Sequence, residues 1–270
     1  MEALVEVGPG VFALRYRFYD QQIGVVVGPT GVTVVDTRSS HRQADEIRRD
    51  LKRITALPVT TVVNTHGHYD HAFGNSVFRP ARIWGHRRCV AMLERTGELQ
   101  RARLRAERPD LADEVADVSI DPPDRVLDDE LTIDGGGRAL ELLYLGRGHT
   151  DNDIVIRVPD AAVMFAGDLL ENGAPPYFGD GFPMDWPATI EALMTHVEGA
   201  VVPGHGDVGD ASFVAAQLAD LNEIVRLARA IHAGELRLDD AIGRAPFPPA
   251  SAREPLERAL AQLRGDLPDA

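Results

Sequence analysis

The sequence predicts an α/β fold. Three observations carry the prediction. Runs rich in β-branched residues fall in two blocks separated by a charged, helix-forming stretch. Strand–helix–strand order appears within the first block. The polar loops that carry histidine lie at the ends of predicted strands, as α/β sites do.

Residues 11–14, 23–27 and 32–35 are β-rich, and Pro29-Thr30-Gly31 marks a turn, so residues 5–35 read as β-hairpins. The tip Arg17-Phe18-Tyr19-Asp20 is polar and aromatic; it reads equally as a pocket wall or an ordinary turn. Asp36 closes a buried-looking strand. Ser40-His41-Arg42-Gln43 forms a capping box, with Ser40 as N-cap and His41 solvated in the first turn. Ala44, Ile47, Leu51 and Ile54 then recur at helical spacing. Residues 58–63 form the next strand and 81–86 another. His86 reads as a structural histidine, and Cys89 as a small buried residue opening a helix.

Residues 94–118 are rich in Ala, Leu and Arg, with a break at Pro109, and read as a helical insertion spanning about 94–120. Strands resume from Val126 to Val201. Leu131-Thr132-Ile133 pairs with residues 139–144 across Asp134-Gly135-Gly136-Gly137, and residues 153–158 and 162–165 flank Pro159-Asp160-Ala161. A short helix follows over 187–196, capped by Asp185 or Trp186. Residues 211–234 form one long helix, with His232 at its C-terminal end, where the helix dipole favours it. Residues 236–270 are helical and interrupted by Pro246, Pro248 and Pro249. A chain of 270 residues suits a main domain over 1–210 with the helical segment 211–270 packed on it.

Composition excludes several functions. A net charge of −14 lacks the basic footprint of a nucleic-acid binder. No segment approaches twenty apolar residues, so no membrane span is expected. Met1-Glu2-Ala3-Leu4-Val5-Glu6 has no basic stretch followed by an apolar run, and the single Cys89 fits a reducing compartment. A cytoplasmic protein with a small-molecule substrate is expected, its oligomeric state open.

The chemistry concentrates in Asn64-Thr65-His66-Gly67-His68-Tyr69-Asp70-His71, which holds three of the nine histidines. In extended backbone, residues two apart point the same way, so His66 and His68 can reach one ion together. The adjacent Asp70 and His71 can diverge toward a second ion, or one can turn away as a base. Imidazole and carboxylate are ligands that zinc accepts. Gly146-Arg147-Gly148-His149-Thr150, Phe165-Ala166-Gly167-Asp168 and Val202-Pro203-Gly204-His205-Gly206 follow in that order.

Together these motifs resemble the metallo-β-lactamase superfamily, over residues 5–206. The resemblance implies a four-layer αβ/βα sandwich, its sheets face to face and its metal loops at one edge. It implies His66, His68 and His149 on a first ion, Asp70, His71 and His205 on a second, and Asp168 bridging both. It also implies a supporting role for Asp36 behind the metal loop. The cofactors expected are two Zn2+, with manganese or iron as substitutes. Zinc lowers the pKa of bound water toward neutrality, and Asp70 would orient the resulting hydroxide as the catalytic residue. The expected function is hydrolysis of a small ester, thioester, lactone or lactam. Alternatives are a phosphodiesterase or nuclease of the same superfamily, or a non-catalytic metal-binding scaffold.

Two departures matter. The best-known β-lactamases of the family carry Cys where this chain has Asp168, and their basic residue three positions later is here Glu171. Gly67 stands in the middle of the first motif, unlike the Thr-His-His-His of the glyoxalase-type thioesterases. Specificity is expected from the loop 171–186, whose aromatics either line the mouth or pack on the scaffold.

Overall fold

The computed structural model describes residues 1–267. Its elements are β1 (Ala3–Gly8), β2 (Val11–Tyr16), β3 (Gln21–Val27), β4 (Val32–Val35), α1 (His41–Leu51), β5 (Val59–Val63), α2 (Tyr69–Ala72), β6 (Arg82–His86), α3 (Arg87–Glu107), α4 (Ala112–Ala116), β7 (Arg125–Leu127), β8 (Glu130–Asp134), β9 (Ala139–Tyr144), β10 (Ile154–Val158), β11 (Val163–Asn172), α5 (Trp186–Met194), β12 (Ala200–Gly206), α6 (Ala211–His232), α7 (Leu238–Ile242) and α8 (Pro249–Arg264).

Strand alternation builds the layers. Successive side chains on a strand point to opposite faces, and here neighbouring residues enter different cores. Val26, Val35, Val63, Leu142, Ile156 and Phe165 lie between the two halves of the sheet. Their neighbours Val25, Val34 and Val62 turn outward onto Ala44 and Ile47 of α1. Leu143, Val155 and Met164 turn outward on the other side, onto Trp186, Ile190 and Leu221 of α5 and α6. Three buried seams between four layers make the αβ/βα sandwich. A fourth cluster, with Phe73, Cys89, Leu93 and Leu104, lies under α3.

The order is β7-β6-β5-β4-β3-β12-β11-β10-β9-β8, with β1 and β2 on the β3 side. β4 to β7 are parallel, as are β11 and β12. The two halves are not separate sheets. One pair, Gln21 with His205, joins β3 to β12. Asp168 lies inside β11, which runs on to Asn172, with register shifts on both sides of Gly167, whose φ is +54°.

The N-cap of α1 is Ser40, whose Oγ accepts from the Gln43 N–H at 3.1 Å. In return Gln43 Oε1 accepts from the Ser39 N–H at 3.4 Å, not from that of Ser40. His41 is not simply solvated: its Nε2 lies 2.8 Å from Ser76 Oγ and accepts from the Ser119 N–H at 3.0 Å. His86 is structural. It caps α3 by accepting from the Arg88 N–H, and it stacks on Tyr144. Asp185 stands at the N-cap of α5, but its carboxylate pairs with Arg147 instead of the helix end. Among the described residues no helix is long and apolar enough to cross a membrane.

Phe165 packs against Gly24, where a Cβ would come within 2.5 Å of the ring. This contact lets the two halves of the sandwich close. Phe165→Ala is expected to lower unfolding stability by about 3–5 kcal/mol, the cost of a buried aromatic cavity. Denaturant titration checks this; a loss under ~1 kcal/mol would mean that the seam refills.

Candidate metal centre

The centre lies at the edge where β3 meets β12. β5 delivers the chain to residues 64–68, which lead into α2. This loop is held mainly by side chains. Asn64 Nδ2 donates to the His71 carbonyl and to Asn75 Oδ1, both at 3.0 Å, and Asn75 Nδ2 donates back to Asn64 Oδ1 at 2.7 Å. The Gly67 N–H donates to Asn152 Oδ1 at 2.9 Å. Gln100 of α3 spans the loop: its Nε2 donates to the Gly67 carbonyl and its Oε1 accepts from the Tyr69 N–H. A Cβ at Gly67 would sit 3.0 Å from the Met92 sulfur, so glycine here lets α3 approach.

The structure brings all seven sequence-identified residues into two adjoining groups. In the first, His68 Nδ1 lies 3.0 Å from His66 Nε2 and 2.9 Å from His149 Nε2. In the second, Asp70 Oδ2 lies 3.5 Å from both His71 Nε2 and His205 Nε2. Asp168 stands between them. Its Oδ1 is 3.3 Å from His71 Nε2, and its Oδ2 is 3.3 Å from His205, 3.5 Å from His149 and 3.9 Å from His66.

The other ring nitrogen of each histidine has a partner, which orients the imidazole. His66 Nδ1 meets Thr65 Oγ1 at 3.1 Å, and His68 Nε2 meets Asp180 Oδ2 at 2.9 Å. His71 Nδ1 meets Asp36 Oδ2 at 2.8 Å. His149 Nδ1 and His205 Nδ1 donate to the carbonyls of Tyr177 (3.1 Å) and Tyr19 (2.7 Å). Asp36 is the expected support behind the loop. It also accepts from the N–H and Oγ1 of Thr65, each at 2.8 Å, from a backbone held at φ +66°.

The field at the second group favours positive charge. Burial opposes protonation of His205, yet Asp168 and Asp70 outweigh it and lift its pKa to about 10. The same contest raises His71 well above its usual value through Asp168, Asp70 and Asp36. In the first group burial wins at His149, which falls to about 4, and also at His66, so these two imidazoles are held neutral, the form that ligates. At His68 burial is outweighed by Asp180, which lifts it to about 9.

A cavity of about 560 Å³ opens over both groups. The hairpin tip (Tyr19, Asp20), one stripe of α3 (Met92, Thr96, Arg103), Glu171 near the end of β11 and the segment that follows it (Tyr177, Asp180) wall it. Helix α3 therefore borders the cavity. Most aromatics of 171–186 pack inward: Phe178, Phe182 and Trp186 are buried, and the Trp186 indole N–H donates to the Leu169 carbonyl. Tyr177 alone of these reaches the cavity. Sequence reasoning missed Asp180, Gln100 and the carbonyls of Tyr19 and Tyr177. Asp180 lies in an irregular stretch with no motif. A backbone carbonyl has no residue signature at all.

The family model for the metallo-β-lactamase superfamily matches residues 16–227. The chain is 24% identical over 196 residues to the metallo-β-lactamase type 2 of Bacteroides fragilis, covering 70% of each chain. It is 25% identical over 185 residues to the corresponding protein of Bacillus cereus, covering 67% of this chain and 64% of that one. It also matches a linear primary-alkylsulfatase of a Pseudomonas species at 23% over 216 residues, 67% of this chain and 40% of that protein. Among solved structures, the metallo-β-lactamase from Pontibacter korlensis superposes with a TM-score of 0.65 at 21% identity, over 82% of this chain and 98% of that one, which shows the shared fold. With the family model spanning most of its length and a His/Asp cluster capable of binding metal at the sheet edge, the chain belongs to the metallo-β-lactamase superfamily.

Proposed function

We propose that the protein is a dinuclear metal-dependent hydrolase of small ester, thioester, lactone or lactam substrates. The observation that carries this reading is the position of Asp168 between two separate donor groups. The residues fit two cations. His71 Nε2 and Asp168 Oδ1 are buried without a hydrogen-bond partner among the described residues, although 3.3 Å apart. With Nδ1–H directed to Asp36, His71 Nε2 faces a carboxylate, and the pair calls for positive charge between them, which a proton or a cation supplies. The spacing agrees. Tetrahedral ligation with Zn–N bonds of ~2.0–2.1 Å sets nitrogens about 3.3 Å apart, close to the separations in the first group.

His66, His68 and His149 would hold one cation, Asp70, His71 and His205 the other, and Asp168 both. Zinc suits these donors, with manganese or iron as substitutes. Bound there, the cations would supply Lewis acidity toward the scissile carbonyl and an activated water. The chain's own residues do the rest. The Asp70 carboxylate lines the cavity beside His71 and His205 and is placed to orient the attacking water and take its proton. The buried aromatics behind His149 exclude solvent from one side of the centre.

Chelation is expected to abolish hydrolysis of a carbonyl-substrate panel and to lower the melting temperature. Free metal at about 100 times Kd contributes ~2.7 kcal/mol by linkage, roughly 5–10 °C for a chain of this size. An unchanged melting curve after verified metal removal would speak against the site.

Asp168→Asn keeps the shape but removes the charge, and the amide nitrogen cannot ligate. Metal per chain, read by elemental analysis, should fall from two toward one, since the first group keeps three histidines. Turnover should fall with it, while far-UV circular dichroism stays near that of the parent. Two retained metals with near-normal turnover would remove the bridging assignment.

A further inference from the structure

The cavity carries a charge pattern that the proposed chemistry does not use. Six carboxylates line it against one guanidinium, Arg103. Arg103 is paired with Glu107 at 2.6 Å, and Asp20 is paired with Arg15. Asp70, Asp168, Asp180 and Glu171 remain without an arginine. Four carboxylates thus face the four positive charges that two divalent cations would bring. A cavity balanced in this way has no surplus positive charge to hold an anionic group beside the reacting bond.

Glu171 is the one of these four with no role so far. It lies three residues after Asp168 on β11, opposite His205 in register. Its position is built from both sides. Its backbone N–H donates to Gln217 Oε1 at 3.0 Å, and Gln217 Nε2 donates to the Leu169 carbonyl at 2.8 Å. Its own Oε1 accepts from the Tyr177 N–H at 3.0 Å. A carboxylate oxygen of Glu171 lies within 4.8 Å of ligand atoms of His149 and Asp168, which puts it beside any bond held at the centre. A fixed, half-buried carboxylate facing a substrate cavity favours a charged donor and repels another carboxylate.

Building on the hydrolase reading, we propose that Glu171 is a specificity-determining residue that binds the ammonium group of amine-bearing carbonyl substrates and turns away substrates with a carboxylate at the same place.

The test uses the metal-loaded full chain and three matched nitrophenyl esters, with a protonated amine, a neutral methyl or a carboxylate beside the scissile carbonyl. The parent should rank them amine, neutral, carboxylate in kcat/KM. Glu171→Gln should lower the amine-to-neutral ratio at least tenfold, mainly through KM. Glu171→Lys should invert the order of amine and carboxylate. The matched non-hydrolysable methyl ketones, measured by calorimetry, should show the same ratios in binding. Unchanged ratios in Glu171→Gln, or a parent that prefers the carboxylate, overturn the proposal. So does loss of metal from Glu171→Gln with the ratios intact, which would make Glu171 a ligand. If the parent hydrolyses neither these esters nor any thioester, lactone or lactam of the carbonyl panel, the hydrolase reading fails, and the calorimetric ratios still decide the role of Glu171.

Discussion

The site depends on one buried carboxylate. Asp168 is 5% exposed and faces four imidazoles, two from each group. A carboxylate taken out of water is strongly destabilising unless positive charge meets it. Desolvation would raise its pKa, but His205 and His71 outweigh it and hold Asp168 well below the usual carboxylate range. The surrounding architecture follows from keeping that charge in place. β11 continues past Asp168 to Asn172, so the carboxylate is carried by a rigid strand. Gly204 faces it from β12, where a Cβ would collide with Asp168 Oδ1.

The second constraint is orientation. Five imidazoles must aim one nitrogen inward, and each is fixed through the other nitrogen. The five anchors come from different parts of the chain: Thr65, Asp180, Asp36, and the carbonyls of Tyr177 and Tyr19. Both halves of the sandwich therefore have to be in register before the groups can form. The Gln21–His205 pair is where that register is set, because it joins β3 to β12 beside the inward-facing nitrogens.

The sequence was most readable where geometry is local. His66 and His68 announce themselves by spacing, α1 by Ser40 and its apolar period, and the break near Pro109 by its residue type. His149, Asp168 and His205 were readable only as an ordered set that resembles a family, since each alone fits an ordinary loop or strand. What stayed hidden depends on long-range packing. Asp180 reaches His68 across 112 residues of chain. The continuation of β11 beyond Asp168 depends on pairing with β12, which places Glu171 opposite His205. The inward packing of Phe178 and Trp186 follows from their meeting Phe247 and His149, contacts that no periodicity encodes.

Helix α3 is where the cavity wall and the support of the histidine loop meet. α3 presents Met92, Thr96 and Arg103 to the cavity, and the same face carries Gln100, which holds the Gly67 carbonyl and the Tyr69 N–H. The same helix therefore shapes the cavity and braces the loop bearing His66, His68 and Asp70. At its far end Arg108 lies over the rings of Phe18 and Tyr19, and the Tyr19 carbonyl orients His205. A shift of α3 that changed the cavity would act on the first group through Gly67 and on the second through Tyr19. The shape of the cavity and the geometry of the centre are thus coupled through one helix, and changes to α3 are constrained by the loop it supports.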